Sequence, residues 1–335
     1  MYKVRRTMAN AAALGDRETL HIEQMVGAIR GLGVERTFRR AYGVSDRWNW
    51  RVRSGRIPSR IGIKSELDAR LNAISTIETA AGEGEDAVFP AMAALCAFVR
   101  DNCEIEDEAA AHEPRPDVQA AMEAIGRLER LRAQGAGFKA ASLESEVFRA
   151  NLMLSMLTFV RMPGALLSGA DLTGCRLDYA DLSDAMLPGA SLIAARLKGA
   201  HLRRATLSGA QFLGAYLEGA DFDHAQMQDA DLSYTDFREV RLNGARLDRA
   251  NLEAWQCERA SLRGASLAGV RNLDPASLQT CHGVKSGIGR TILPEGVAPP
   301  LHWYAAAETG QDSDAAAKAY ETRYRSWLTV YTNRV

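Results

Sequence analysis

The sequence predicts a chain with separate α and β parts. The β part is a square-sectioned solenoid of about six coils, preceded by an all-helical N-terminal region and followed by one C-terminal helix. Three observations predict this. From Ser145 to Gly269 a five-residue unit repeats twenty-five times in one register. Its central position is Leu in eighteen units, and the position two before the centre is Ala in eighteen. Outside that stretch the five-residue pattern is absent, and apolar residues fall at helical spacing instead.

A period of five matches neither the 3.6-residue repeat of a helix nor the two-residue repeat of a strand. A five-residue unit with two inward positions can form one side of a square, so four units make one coil. Coils stack like neighbouring strands, about 4.8 Å apart, which gives a rod roughly 30 Å long. Ala suits an inward corner because the interior is narrow, and Leu fills the remaining volume. Backbone groups pair from coil to coil, so only the two ends carry open edges. The other centres are Phe212, Phe222, Phe237, Met162, Met227, Val147 and Cys257. At the small-residue site Val160 and Val240 replace Ala, Thr235 is a milder change, and Trp255 is far too large. A bulge or an outward indole is expected at Trp255.

These units, of which Ala180-Asp181-Leu182-Ser183-Asp184 is one, resemble the pentapeptide-repeat family over about 125 residues. The resemblance implies a right-handed quadrilateral β-helix. Leu293-Pro294-Glu295-Gly296 and the following Pro299-Pro300-Leu301-His302-Trp303 are similar to the segment after the repeats in many bacterial members. The helical stretch before the repeats also resembles the corresponding segment of such members.

The domain boundaries follow from these changes of pattern. Residues 1–17 are a flexible N-terminus and 18–65 a basic helical unit. Residues 66–140 form a helical connector that caps the solenoid, since an open solenoid end needs a cap. Leu67, Leu71, Ile74 and Ile77 make the apolar stripe of its first helix, which Gly82-Glu83-Gly84 ends. A second runs from Val88 through Leu95 and Val99; Asp117 caps a third, with Val118, Met122, Ile125 and Leu128 on one face. Residues 141–270 are the β-helix, 271–303 its C-terminal cap and 304–335 an amphipathic helix. Tyr320, Tyr324, Trp327, Leu328 and Tyr331 form a stripe on that last helix, expected to dock along the rod; a dimer contact is the alternative.

The basic unit carries nine Lys or Arg and one acidic residue, Asp46, between Arg36 and Lys64. Gly43-Val44-Ser45 and Gly55-Arg56-Ile57-Pro58 resemble the helix-turn-helix of small Cro- or repressor-type proteins, with the spacing between the blocks about one residue off the usual pattern. A recognition helix starting at Ser45 would bring Arg47, Asn49, Arg51 and Arg53 to the major groove. Arg56 and Arg60 would supply salt-dependent contacts to the phosphates. Double-stranded DNA is therefore one expected partner, against the plainer reading of a solvated basic face. Relatives of this kind commonly work as dimers, so a homodimer is a further expectation of the resemblance.

With 335 residues, a net charge of −1 and 47% hydrophobic residues, the chain suits a globular protein of two or three domains. No apolar run reaches membrane-helix length, and the N-terminus does not read as a signal peptide. The five cysteines form no CxxC pair, and Cys175 and Cys257 fall on inward repeat positions. The expected compartment is cytoplasmic, with no metal, no cofactor and no membrane partner. The sequence carries neither a Gly-rich phosphate loop nor a nucleophile elbow, and a flat repeat surface does not suit catalysis. The protein is expected not to be an enzyme.

A period of twenty stacks the outward residues into columns. One reads Asp178, Lys198, Glu218, Arg238, Glu258 and another Arg161, Asp181, His201, Asp221, Arg241. Their charges alternate, and neighbours in such ladders can pair. On a less charged face Ile193 and Leu213 stack with Tyr234 near, and on another Leu166 stacks with Met186. Ile193, Leu213 and Tyr234 are the expected contacts for an unknown protein partner, although the terminal helices are the nearer occupants of these patches. Some pentapeptide-repeat proteins protect DNA gyrase by imitating DNA, which needs rows of acidic side chains. Residues 145–269 hold fifteen acidic and thirteen basic residues, a net of −2, and the columns alternate. The function expected is a non-catalytic interaction scaffold tethered to DNA. Two alternatives stand beside it: a DNA-mimic protector or inhibitor of gyrase or topoisomerase, and a purely structural scaffold with a degenerate DNA-binding domain.

Overall fold

The computed structural model describes residues 27–28, 32, 63–82, 85–101, 113–134, 149–287, 289–306 and 313–332. The chain divides into two compact units, Met1–Glu106 with Arg115–Asn151, and Asp107–Pro114 with Leu152–Val335. The basic segment, including Arg47, Asn49, Arg51, Arg53, Arg56 and Arg60, lies outside the described residues.

In the first unit three helices pack each against the other two: α1 (Ile63–Gly82), α2 (Glu85–Asp101) and α3 (Pro116–Gln134). The apolar stripes give the core, with Ile74, Ile77, Met92, Leu95, Phe98, Met122, Ile125 and Leu128 all buried. Burying each such side chain is worth on the order of 1.5–3 kcal/mol. Cys96 sits in this core, where burial pushes its thiol up to about 12. Charged residues join α1 to α3 at two places: Arg127 grips Glu78 through bonds of 2.5 and 3.0 Å, and Arg70 reaches Asp117 at 3.1 Å.

Asp117 does not cap α3 as its position in the sequence suggests. The Gln119 amide already donates to the Arg115 carbonyl at 2.9 Å, so the helix begins two residues earlier and Pro116 fills its first position. The buried Asp117 carboxylate instead accepts from Arg115 at 2.7 Å, from Arg70, and from the Val118 amide at 3.0 Å. Burial alone would raise its pKa; the hydrogen bonds and charge of Arg115, with Arg70, outweigh it and hold the carboxyl below its usual value.

The second unit is a β-helix solenoid. Four bridge ladders run through it, each step within the repeats joining residues twenty apart, as in Asp171–Ser191–Gln211–Asp231–Asn251–Arg271 and Arg161–Asp181–His201–Asp221–Arg241–Ser261. Nearly every unit closes a tight turn, for example Ala180 N to Leu177 O at 3.0 Å; at Thr235 the hydroxyl bonds the Leu232 carbonyl instead. The third residue of every turn has positive φ, from Leu154 through Gly269, which is the type II signature. Leu and Ala of the repeat point inward and are buried almost without exception. Phe212, Phe222 and Phe237 form a chain of ring contacts in the interior, 6.1 Å apart at each step, that ends on Trp255 at 5.8 Å.

Trp255 corrects the expectation of a bulge or an outward indole. It is 4% exposed, and the bridge Asp236–Gln256 beside it is intact. It fits because it lies near the end of the repeats, where a 3-10 helix, Pro275–Thr280, replaces the regular unit. The indole N–H finds the Ser277 hydroxyl at 3.0 Å, and the turn bond from the Trp255 amide to the Leu252 carbonyl is kept at 3.4 Å.

Beyond the repeats the chain continues the ladder without the motif. Leu262 donates to His282 and Leu267 to Ile292, both at 2.8 Å. Strands β1 (Val284–Ser286) and β2 (Tyr304–Ala305) pair in parallel. Trp303 packs on Gly283 so closely that a Cβ there would meet its ring at 2.7 Å. The last helix, α4 (Ser313–Thr332), docks on this end. The Tyr320 hydroxyl donates to the His282 carbonyl at 2.9 Å and meets Ser261 Oγ at 3.0 Å; Tyr324 donates to the Arg259 carbonyl at 2.6 Å. The stripe of Tyr320, Tyr324 and Trp327 thus surrounds the His282 ring, at centroid distances of 5.1, 5.7 and 5.4 Å. Docking is on the C-terminal end of the solenoid rather than along its length.

Candidate interaction surface

The outward surface is built by the same unit that builds the core. Of the five backbone N–H groups in a unit, three bond to neighbouring coils and one closes the turn, as at Asp181, Leu182, Asp184 and Ala185. The fifth, just after the centre, has no place in this backbone pattern. An Asp or Asn just before the centre satisfies it. Asp171, Asp181, Asp221 and Asp231 accept from the amides of Thr173, Ser183, Asp223 and Ser233 at 3.0–3.1 Å, and Asp236 accepts from Arg238 at 3.2 Å. This is the Asx-turn solution to an otherwise unbonded donor. It explains why Asp recurs before Leu, and it commits those carboxylates to local work.

Most of the remaining acidic groups are tied to arginine or lysine. The predicted alternation holds in one column, where Glu218 bonds Lys198 at 3.0 Å and Arg238 at 3.6 Å. In the other the partners shift sideways: Arg241 binds Asp223 at 2.8 Å rather than Asp221, and Asp221 faces Arg203 at 3.7 Å. A third set was not foreseen. Residues at the left-handed turn position pair with their counterparts twenty residues on, Asp184 with Arg204, Asp229 with Arg249 and Glu239 with Arg259, each at 2.6 Å. The hydrogen bond from Arg204 holds Asp184 below its usual pKa, and that from Arg249 does the same for Asp229. The first two pairs are exposed, so their role is register rather than net stability.

The same turn column carries large side chains laid over glycine. A Cβ on Gly199 would meet the Tyr179 ring at 2.7 Å, and one on Gly244 would meet His224 at 2.5 Å. Tyr179 in turn stacks on Phe159 with centroids 5.2 Å apart. A large residue followed twenty later by Gly is the sequence signal that finds these contacts.

The expected partner contacts lie on the ladder from Asp171 to Arg271. Ile193 and Leu213 are neighbours on adjacent coils, with the Ala194 amide bonded to the Leu213 carbonyl at 2.9 Å. Ser233 continues their column; Tyr234, one residue on, sends its hydroxyl away to Glu253 Oε1 at 2.8 Å. Leu213 is 41% exposed and Tyr234 58%. The C-terminal helix does not cover them, because it packs on the ladder of Ser261 and His282. Leu154, at 73%, and Tyr216, at 57%, are exposed apolar groups that the column reading passed over. Among the described residues no cluster of His, Cys, Asp and Glu could hold a metal ion, and no helix is long and apolar enough to cross a membrane.

The sequence model for Pentapeptide repeats matches this chain in eight copies, over residues 150–187, 165–204, 187–223 and 225–254. Solved structures share similarity with it. QnrB1, a plasmid-mediated fluoroquinolone resistance protein, is 19% identical at a TM-score of 0.36, covering 50% of this chain and 82% of its own. A pentapeptide repeat protein of the Arabidopsis thaliana thylakoid lumen is 28% identical at 0.20, covering 35% and 76%. HetL of the cyanobacterium Nostoc, involved in heterocyst differentiation regulation, is 27% identical at 0.20, covering 44% and 74%. No curated protein matches the chain. Residues 150–254, with their five-residue turns and twenty-residue ladders, carry the repeats of the pentapeptide-repeat family.

Proposed function

We propose that this protein is a non-catalytic interaction scaffold held on duplex DNA by its N-terminal basic unit. In this reading the rod is a right-handed quadrilateral β-helix of about six coils, in a bacterial cytoplasm. Arg47, Asn49, Arg51 and Arg53 face the bases, and Arg56 and Arg60 the phosphates. Two copies associate, and Ile193, Leu213 and Tyr234 meet a protein partner. Action is by recruitment or occlusion, without chemistry.

One observation carries the scaffold part of this reading: the charged groups of the rod are largely satisfied within the rod, while Leu213 and Tyr234 remain exposed on one ladder. A rigid surface whose ion pairs are internal and whose apolar groups face out favours protein contact over chemistry. The nine-to-one basic segment supports the DNA part.

The same observation weighs against the gyrase-directed alternative. A mimic of DNA needs carboxylates available in rows, and here Asp171, Asp181, Asp221, Asp231 and Asp236 accept local backbone N–H groups while Asp184, Glu218, Asp223 and Asp229 are paired with cations. A supercoiling assay with purified gyrase tests that alternative; protection or inhibition at stoichiometric protein would favour it. The main reading is tested by duplex-DNA binding across a salt series, with Arg51→Glu/Arg53→Glu as control. The partner surface is tested by Leu213→Glu, which should abolish partner binding and leave DNA binding intact.

A further inference from the structure

Two cysteines from different parts of the second unit meet inside its C-terminal end. Cys257 occupies a repeat centre and Cys281 follows the 3-10 helix, and both are buried. Their sulfur atoms lie 2.8 Å apart, and the Cys281 sulfur is also 3.0 Å from the Cys257 carbonyl. The Cys281 thiol points at the Cys257 sulfur, so the two groups are in direct contact. The two sulfurs must close from 2.8 Å to the roughly 2.05 Å of a disulfide, a shift of less than 1 Å. Cys96 and Cys175 are also buried, and the Cys175 thiol donates to the Leu152 carbonyl at 2.8 Å.

The position of the pair gives it leverage. The Cys281 carbonyl accepts from Trp303 Nε1 at 3.1 Å and lies 2.7 Å from His302 Nε2. The next residue, His282, supplies the carbonyl on which Tyr320 of α4 docks. A bond between Cys257 and Cys281 would therefore fasten to the last repeats the segment that carries the whole C-terminal cap.

We propose that Cys257 and Cys281 are a modification site, a thiol pair that small organic disulfides convert to a disulfide stapling the cap to the solenoid. In the first exchange the sulfur of one cysteine loses its proton, attacks the small disulfide and forms a mixed disulfide. One small thiolate leaves and takes up a proton. The second cysteine then loses its proton and attacks its partner's sulfur, and the second small thiolate leaves and is protonated. The protein is oxidised by two electrons, and one small disulfide is reduced to two thiols. Burial pushes the Cys281 thiol well above its ordinary pKa, with Cys257 beside it adding to the shift, and the thiolate is the nucleophile. Exchange is therefore slow in the closed protein and proceeds through opening of the cap, faster at high pH and in mild urea.

The test uses the full-length protein, reduced and freed of reductant, then incubated with oxidised glutathione with and without mild urea. Remaining thiols are alkylated, and the protein is digested without reductant and mapped by mass. The expected result is one cross-linked peptide pair joining Cys257 to Cys281, with two of the five thiols lost to alkylation and Cys96 and Cys175 still alkylated. Cys257→Ser and Cys281→Ser each lose the cross-link. The oxidised wild type should melt higher than the reduced by about 5 °C or more, since the bond closes a loop across the 3-10 helix. Full alkylation of both cysteines after oxidation in urea, or pairing of either with the other cysteines at equal frequency, overturns the proposal. A link that leaves the melting temperature unchanged overturns the stapling role. The wild-type map decides the first question even if a serine variant fails to fold.

Discussion

Adding a methyl group at Gly199 should cost the solenoid about twice what it costs at Gly209. Both glycines sit at the left-handed position of their turns, with φ of +63° and +67°. An L-residue there pays a conformational penalty on the order of 1 kcal/mol, and Gly209→Ala, whose Cβ would meet nothing within 4 Å, should show that cost alone. At Gly199 the new Cβ would fall 2.7 Å from the Tyr179 ring. The ring must swing away, giving up its stack on Phe159 at 5.2 Å, which is worth about another 1 kcal/mol. Gly199→Ala should therefore cost about 2 kcal/mol. Urea unfolding followed by circular dichroism measures both, with the slopes compared to confirm that the same surface unfolds. The decisive arm is a double-mutant cycle: in a Tyr179→Ala background the two glycine substitutions should cost the same. Equal costs in the wild type, or a difference that survives removal of Tyr179, would refute the stacking account.

Three further outcomes follow from the packing of the second unit. His282 is 2% exposed, and burial, with the nearby His302, depresses its pKa to about 4. The unfolded chain takes up that proton near pH 6.5, so stability is full above about 6.5 and falls as the pH drops toward 4, by about 3 kcal/mol in all; a His282→Asn variant compared with wild type by thermal melts across pH should lack this share of the slope. Tyr320→Phe leaves the His282 carbonyl without its hydroxyl donor and should cost about 1–2 kcal/mol, read as earlier hydrogen exchange in α4 with the repeats unchanged. Phe222→Ala opens a cavity between Phe212 and Phe237 and should cost about 3–5 kcal/mol by urea unfolding.

The repeats were legible because the unit is its own explanation. An Ala and a Leu at fixed spacing, over Ser145 to Gly269, specify an inward corner and an inward fill whatever the rest of the chain does. The three helices of the first unit were legible by the same logic, from stripes such as Ile74 and Ile77 against a Gly break. What the sequence concealed depends on contacts between distant residues. Asp117 reads as a cap because it stands before an apolar run; Arg70, forty-seven residues away, and Arg115 give it a different task. Trp255 reads as a misfit until Ser277 and the 3-10 helix supply room and a hydrogen-bond acceptor. The charged columns were read from the position just before and just after the centre, yet equally short pairs form at the turn position, as between Asp229 and Arg249. Leu213 and Tyr234 could be placed outward from register alone, but only the docking of α4 on His282 shows that this helix leaves them uncovered.

The measurement that bears most directly on the proposed function is a titration of labelled duplex DNA with the full-length protein at several salt concentrations, beside Arg51→Glu/Arg53→Glu. The account predicts binding that weakens steeply and log-linearly with salt, and a variant that loses it while its circular dichroism and melting remain those of the wild type. Absence of wild-type binding at low salt, or equal binding by the variant, would contradict the tether and leave the rod as a scaffold for protein alone.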